Sequence, residues 1–304
     1  MNVVEIENVT KKFDEHVAVD SLSLEVPAGR IYGFIGPNGS GKTTTLRMIM
    51  NIFYPDDGTI RVFGDNRHGA CSDRIGYLPE ERGLYRKMKV RDVLRFYGGL
   101  KKKPSTIYGE VDRWLDRLNL SDWADKKVET LSKGMSQKVQ FISTVLSQPE
   151  LIILDEPFAG LDPVNADIIR TAILEFQKNG ATVIFSTHDM NMAEMMCDFI
   201  FMIFKGKKVL DGTLTSIQEK YGHDTLRIRG DGGSDVMQNI DGVDKVNDYG
   251  RLQELKISPD ADPQKIAAEI MSRTRVMSFE IARPSLHDIF VRIAGPEAKE
   301  VNNA

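Results

Sequence analysis

The sequence predicts an α/β protein, a largely parallel sheet between helices, with a helical block inserted into it and a small α+β domain appended. Three observations carry this. Short continuous apolar runs at 31–35, 151–154, 182–185 and 199–204 have the length and composition of strands buried on both faces, and helical segments such as 166–176 separate them. Between roughly 84 and 147 the pattern turns helical, with Val111, Trp114, Leu115 and Leu118 at helix spacing. Past about residue 215 the composition changes, with a Gly- and Asp-rich stretch at 230–235 and a turn-prone segment at 241–250.

Residues 1 to about 34 read as successive strands, alternating at 3–9 and 22–26, with a turn at Pro27, Ala28 and Gly29. The buried strand 31–35 leads into a glycine-rich loop and an apolar helix through Leu46, Met48 and Ile49. The C-terminal region reads strand (225–229), short helix, strand (243–247), strand (252–257), helix (263–271), strand (275–281) and a last helix from Ser285. That order suggests a split β-α-β, ferredoxin-like arrangement. The tail from Pro296 is polar and expected to fray. The expected domains are 1–215, containing the helical subdomain at about 84–147, and an accessory domain at 216–304.

With 304 residues and 41% hydrophobic content the chain can bury a sizeable core. Forty Lys and Arg against 44 Asp and Glu give a net charge of −4, so no global basic field points to nucleic acid. The run Lys101 to Lys103 reads as a solvated loop or helix end. Cys71 and Cys197 are too few for a disulfide framework or a four-cysteine metal site, which fits a reducing compartment, by default the cytosol. His68, Cys71 and His188 form no compact metal spacing, so no transition-metal site is expected. Met190, Met192, Met195, Met196 and Met202 read as core packing of one helix and the following strand. The first ten residues alternate and carry Glu5 and Glu7, a strand rather than a signal peptide, and no run approaches the roughly 18 apolar residues of a spanning helix. Action at a membrane would need a partner that spans it.

Gly36, Pro37, Asn38, Gly39, Ser40, Gly41, Lys42 and Thr43, followed by Thr44, match G-x-x-x-x-G-K-[ST] between a buried strand and a helix. Glycines let backbone N–H groups converge on phosphate oxygens, and the helix N-terminus adds a positive dipole. Lys42 can reach the β and γ phosphates, and the Thr43 hydroxyl can ligate Mg²⁺. The loop alone leaves kinases, GTPases, helicases and transporters open. The strand 151–154 runs into adjacent carboxylates, Asp155 and Glu156, at an edge that faces the nucleotide crevice. Asp155 can join the Mg²⁺ shell and Glu156 can polarise an attacking water.

Further motifs carry a family resemblance. Leu131, Ser132, Lys133, Gly134 and Met135 resemble the L-S-G-G-Q signature of ATP-binding-cassette (ABC) proteins, some 20 residues before the Asp-Glu strand. Ala159 to Pro163, with Asp162, is similar to that family's D-loop, and His188 ends the next strand as its switch histidine does. Phe13 alone would read as core packing; in this register it resembles the aromatic that stacks on adenine, with Val17 and Ala18 as pocket wall. The resemblance covers residues 1 to about 215.

The resemblance implies a RecA-like P-loop NTPase core with an antiparallel β subdomain and an inserted α-helical subdomain. It implies ATP and Mg²⁺ as ligands, with Thr43, Asp155 and Glu80 at the metal, Glu156 as the base and His188 at the γ-phosphate. It also implies a head-to-tail dimer with a second copy or a paralogue, in which Ser132 and Gly134 bind γ-phosphate across the interface, and a membrane-spanning permease as partner. The chain would then be peripheral on the inner face of the cell membrane. Two departures stand out: Glu80 occupies the position of the family's usual glutamine, and Lys133 and Met135 replace glycine and glutamine. These variants, the appended domain and the segment from Pro284 to Phe290 are similar to a bacterial export-type branch. A regulatory or immunity ATPase, and a soluble ABC ATPase acting on ribosomes or DNA, are the alternatives.

Overall fold

The computed structural model describes residues 1–66, 73–81, 83–101, 104–221, 225–258 and 260–295. His68, Cys71, Lys102, Lys103 and the tail from Pro296 lie outside the described residues. The chain divides into two compact units, Met1–Gly212 and Thr213–Ala304.

In chain order the first unit contains β1 (Asn2–Phe13), β2 (His16–Pro27), β3 (Ile31–Ile35), α1 (Lys42–Ile49), β4 (Asp57–Val62), β5 (Ile75–Leu78) and α2 (Val90–Gly99). There follow α3 (Pro104–Arg117), α4 (Lys133–Val145), β6 (Leu151–Asp155), α5 (Pro163–Lys178), β7 (Thr182–Thr187), α6 (Met190–Met196), β8 (Phe199–Phe204) and β9 (Lys207–Gly212). The main sheet has the order β5-β6-β7-β3-β8-β9; its first five strands are parallel and β9 closes the edge antiparallel. Every residue of β3, β6 and β7 is buried, as continuous apolar runs in a sheet covered on both faces require.

Alternate residues of these strands serve different cores, following the two-residue period of a strand. Ile152, Leu154, Val183 and Phe185 pack with α2, α3, α4 and α5. Leu151, Ile153 and Ile184 pack with α1 and a separate antiparallel sheet, β2-β1-β4. Strands β4, β5 and β9 escape a reading of periodicity because they are half-exposed, only four residues long, or start on two lysines. Pairing with a neighbour, not an apolar pattern of their own, makes them strands.

Helix ends follow local chemistry. Ser132 caps α4 by accepting from the Met135 N–H at 3.2 Å. Asp162 caps α5 by accepting from the Asn165 N–H at 3.0 Å, with Pro163 in the first turn. Asp189 caps α6. The methionine expectation needs one correction: Met196 and Met202 are buried, but Met195 is 62% exposed because it falls on the outer face of α6. Lys101 is exposed at the end of the segment after α2, its ammonium donating to the Ile75 carbonyl.

The second unit contains α7 (Leu214–Lys220), β10 (Thr225–Gly230), β11 (Val243–Asp248), β12 (Gln253–Ile257), α8 (Pro263–Arg273), β13 (Val276–Ala282) and α9 (Leu286–Ala294). Its sheet has the order β11-β12-β10-β13, every neighbour antiparallel, which is a split β-α-β topology. The short helix expected after β10 is only a 3₁₀ turn, Asp235–Met237, because Gly232 and Gly233, both at positive φ, precede it. Leu226, Ile228, Leu255 and Ile257 of the sheet meet Ile266 and Ile270 of α8 in its core. The Ser285–Asp288 capping box starts α9.

In the helical block the Trp114 ring of α3 lies parallel to Phe176 of α5 at 5.8 Å and edge-on to Phe141 of α4 at 6.2 Å. Trp114→Ala is expected to cost about 3–5 kcal/mol, read as a lower denaturation midpoint in urea with circular dichroism. A midpoint unchanged within error contradicts this account of the block.

Candidate functional site

The Gly36–Thr43 loop joins the buried end of β3 to the first turn of α1, and its backbone can take its path only with glycine at two positions. A Cβ at Gly36 would lie 2.2 Å from the Ile203 carbonyl oxygen. At Gly41, with φ +109, it would lie 2.6 Å from the Ala18 carbonyl oxygen. The loop is thus pressed against neighbouring backbone and borders a cleft at the start of α1.

That cleft, about 490 Å³, is lined by Phe13, His16, Ala18, Asn38, Gly39, Ser40, Gly41, Lys42, Thr43, Thr44, Glu80 and Glu156. Lys42 is 6% exposed and donates to the carbonyls of Gly36 at 2.7 Å and Pro37 at 3.0 Å. An ammonium has three donors, so one remains for a ligand. Burial lowers the Lys42 pKa, opposed by the carboxylates of Glu156, Asp155 and Glu80. Phe13, at the open end of β1, is 40% exposed and meets Phe53 edge-on at 5.4 Å.

Asp155 ends β6 with no solvent exposure. Its Oδ1 accepts from Thr43 Oγ1 at 3.2 Å and from the Ser186 hydroxyl, while Oδ2 is buried without a partner. Ser186 also accepts the Glu156 N–H at 3.0 Å, so one hydroxyl holds two consecutive acidic residues. The parallel register places Ser186 opposite Asp155. Glu156 sits in left-handed backbone, φ 49, and its Oε1 lies 2.9 Å from His188 Nδ1. Burial raises the Glu156 carboxyl above the ordinary carboxylate range, while His188, Lys42 and their charges pull it down.

The structure therefore gathers Phe13, the loop from Asn38 to Thr44, Glu80 and Glu156 around one cleft, with Asp155 behind it and His188 on Glu156. Gly36 and Pro37 take part through the carbonyls that hold Lys42. Leu131, Ser132, Gly134 and Asp162 do not line it; they sit at the N-terminal ends of α4 and α5. The sequence reading missed His16, which pairs with Phe13 across the β1–β2 turn, and the double role of Ser186. Only the strand register marks Ser186, and a register is not written in local pattern.

Among the described residues no set of three His, Cys, Asp or Glu side chains could hold a metal by itself. Mg²⁺ needs no such cage: it takes one or two protein oxygens and completes its shell with water and phosphate. The unpartnered Asp155 Oδ2, with Thr43 Oγ1 3.2 Å from Oδ1 of the same carboxylate, fits that demand.

The chain is similar to known proteins over most of its length. Residues 19–159 match the model of the ABC transporter family, and residues 212–294 match the family described as ATP-binding protein DrrA1-3-like, C-terminal domain. An uncharacterized ABC transporter ATP-binding protein, YhaQ of Bacillus subtilis, is 41% identical over 95% of this chain and 98% of its own length. The Nod factor export ATP-binding protein I of Burkholderia lata is 30% identical over 98% of both chains. A solved structure of the ATP-binding subunit of an ABC transporter superposes with a TM-score of 0.68 at 27% identity, covering 72% of this chain and 93% of that one.

Ser186→Ala strips a donor from the buried Asp155 carboxylate and an acceptor from the Glu156 N–H. It is expected to lower stability by about 1–3 kcal/mol in chemical denaturation. A loss within error of zero would show that other groups satisfy both atoms.

Proposed function

The chain belongs to the ABC transporter family of ATP-binding proteins, and from that premise we propose that it hydrolyses ATP to power export through a separate membrane-spanning permease. The observation that carries the reading is the convergence of Lys42, Thr43 and Glu156 at one cleft, with Asp155 bonded to Thr43 behind it and His188 on Glu156. The direction draws on the export named for the Burkholderia relative. A separate permease fits the finding that, among the described residues, no helix is long and apolar enough to cross a membrane.

In this reading the loop N–H groups and the free donor of Lys42 bind the phosphates, and Phe13 stacks on adenine. Glu156, kept beside His188, accepts a proton from the attacking water; His188 also contacts the γ-phosphate. Mg²⁺, held by Thr43 and Asp155 with Glu80 nearby, supplies charge neutralisation at the phosphate oxygens. Ser132 and Gly134 lie away from the cleft of their own chain, which supports a head-to-tail arrangement in which a second copy or a paralogue supplies them. Closure of that pair would drive the permease and hydrolysis would reopen it. The machinery belongs to the Met1–Gly212 unit, and Thr213–Ala304 is accessory.

Glu156→Gln is expected to bind ATP, to lower turnover by roughly 10²–10⁴-fold and to accumulate ATP-bound dimers in size-exclusion chromatography. Near wild-type phosphate release would sink the assignment of the base. The pH dependence has a definite sign: the base works deprotonated, so turnover is present above the Glu156 pKa and lost as the pH falls through it. His188→Ala removes a partner that lowers that pKa, so the acidic limb of the residual kcat profile should move to higher pH. A limb that stays in place contradicts the pairing.

A further inference from the structure

Two buried amides on α4 reach the two loops that bring carboxylates to the cleft. Gln137 and Gln140 are one turn apart and each 4% exposed, in a helix whose neighbouring positions Val139, Phe141 and Ile142 are apolar and buried. Gln137 Nε2 donates to the carbonyl of Pro157, the residue after Glu156, at 3.2 Å. Gln140 Nε2 donates to the carbonyls of Pro79 at 3.2 Å and Glu81 at 3.1 Å, bracketing Glu80.

The Gln137 grip falls where the backbone needs one. Glu156 holds φ 49, a conformation that a non-glycine residue keeps only when its surroundings over-determine it. Ser186 takes its N–H on one side, and Gln137 fixes the carbonyl beyond it on the other. At Gln140 the two acceptor carbonyls decide which end of the amide is nitrogen, and its Oε1 is left buried without a partner. An unpaired buried acceptor is costly, so what this position needs is the donor. The helix that carries both amides is itself seated directly on β5. A Cβ at Gly76 would lie 2.6 Å from the Thr144 carbonyl oxygen, and Thr144 Oγ1 donates to the Tyr77 carbonyl at 3.3 Å.

We propose that Gln137 and Gln140 are positioning residues, through which α4 sets the Glu156 and Glu80 loops together. A shift of this helix, which starts at Ser132, then moves both carboxylates in one displacement. The inference rests on the hydrolytic role of Glu156, and it adds an intramolecular link from the Ser132 end of α4 to the cleft.

The test uses Gln137→Met and Gln140→Met in the full chain, changes that keep the volume and remove the donor. Rates are expressed per folded molecule from near-UV circular dichroism. Gln137→Met is expected to lower kcat about tenfold or more with the KM for ATP within roughly twofold, the signature of a misplaced reacting group. Gln140→Met is expected to weaken binding of a fluorescent ATP analogue about fivefold in Mg²⁺ while leaving its affinity in EDTA unchanged. Should Gln140→Met not fold, Gln140→Asn, which shortens the reach by one methylene, carries the same comparison. Merely structural glutamines would lower the folded fraction and leave kcat, KM and the Mg²⁺-dependent affinity at wild-type values, and that result overturns the proposal. Turnover that survives Glu156→Gln overturns the hydrolytic reading itself, whatever the glutamine variants do.

Discussion

A carboxylate with no solvent exposure is tolerated only if donors or a cation compensate it, and Asp155 is such a group. Its compensation comes from two other parts of the chain, Thr43 in the first turn of α1 and Ser186 at the end of β7. To bring them together, β6 and β7 must be adjacent and in the register that sets Asp155 opposite Ser186. The loop before α1 must also run flush against backbone at Ala18 and Ile203. The remaining oxygen, Oδ2, stays buried without a partner, so the same constraint that orders the sheet leaves one acceptor of the carboxylate open.

Glu156 depends on this arrangement one residue further on. Burial disfavours its charged form, and the His188 contact and the Lys42 ammonium favour it. The balance keeps a carboxyl raised above its ordinary range beside groups that stabilise its anion. The strained backbone that aims it is held by a hydroxyl from β7 and an amide from α4.

The residues that depart from the family pattern have places of their own. Met135 packs against the core of the helical block. The Lys133 chain lies over Gly160, where a Cβ would come within 2.4 Å of Lys133 Cε, so the left-handed glycine of that loop and the lysine accommodate each other. Glu80 adds a third carboxylate around Lys42, where a glutamine would bring no charge.

Much of this was legible in the sequence, for particular reasons. The phosphate loop, the apolar strand ending in Asp155 and Glu156, and the start of the last helix at Ser285 are written in consecutive residues, because there chain neighbours are also spatial neighbours. The weakly patterned strands β4, β5 and β9 were not legible, since pairing made at a distance defines them. Nor was the 3₁₀ turn that replaced a short helix after β10, or the outward face of Met195.

The sequence by itself thus determined the α/β class, the phosphate loop and the identity of the acidic pair. Only the tertiary structure decided that Ser186 bridges that pair, that His188 lies on Glu156, and that Gln137 and Gln140 grip the two carboxylate loops from one helix. The physical reason is that hydrogen bonds between distant segments depend on strand register and helix seating. Close packing of the whole core fixes those two quantities, and no local pattern encodes them.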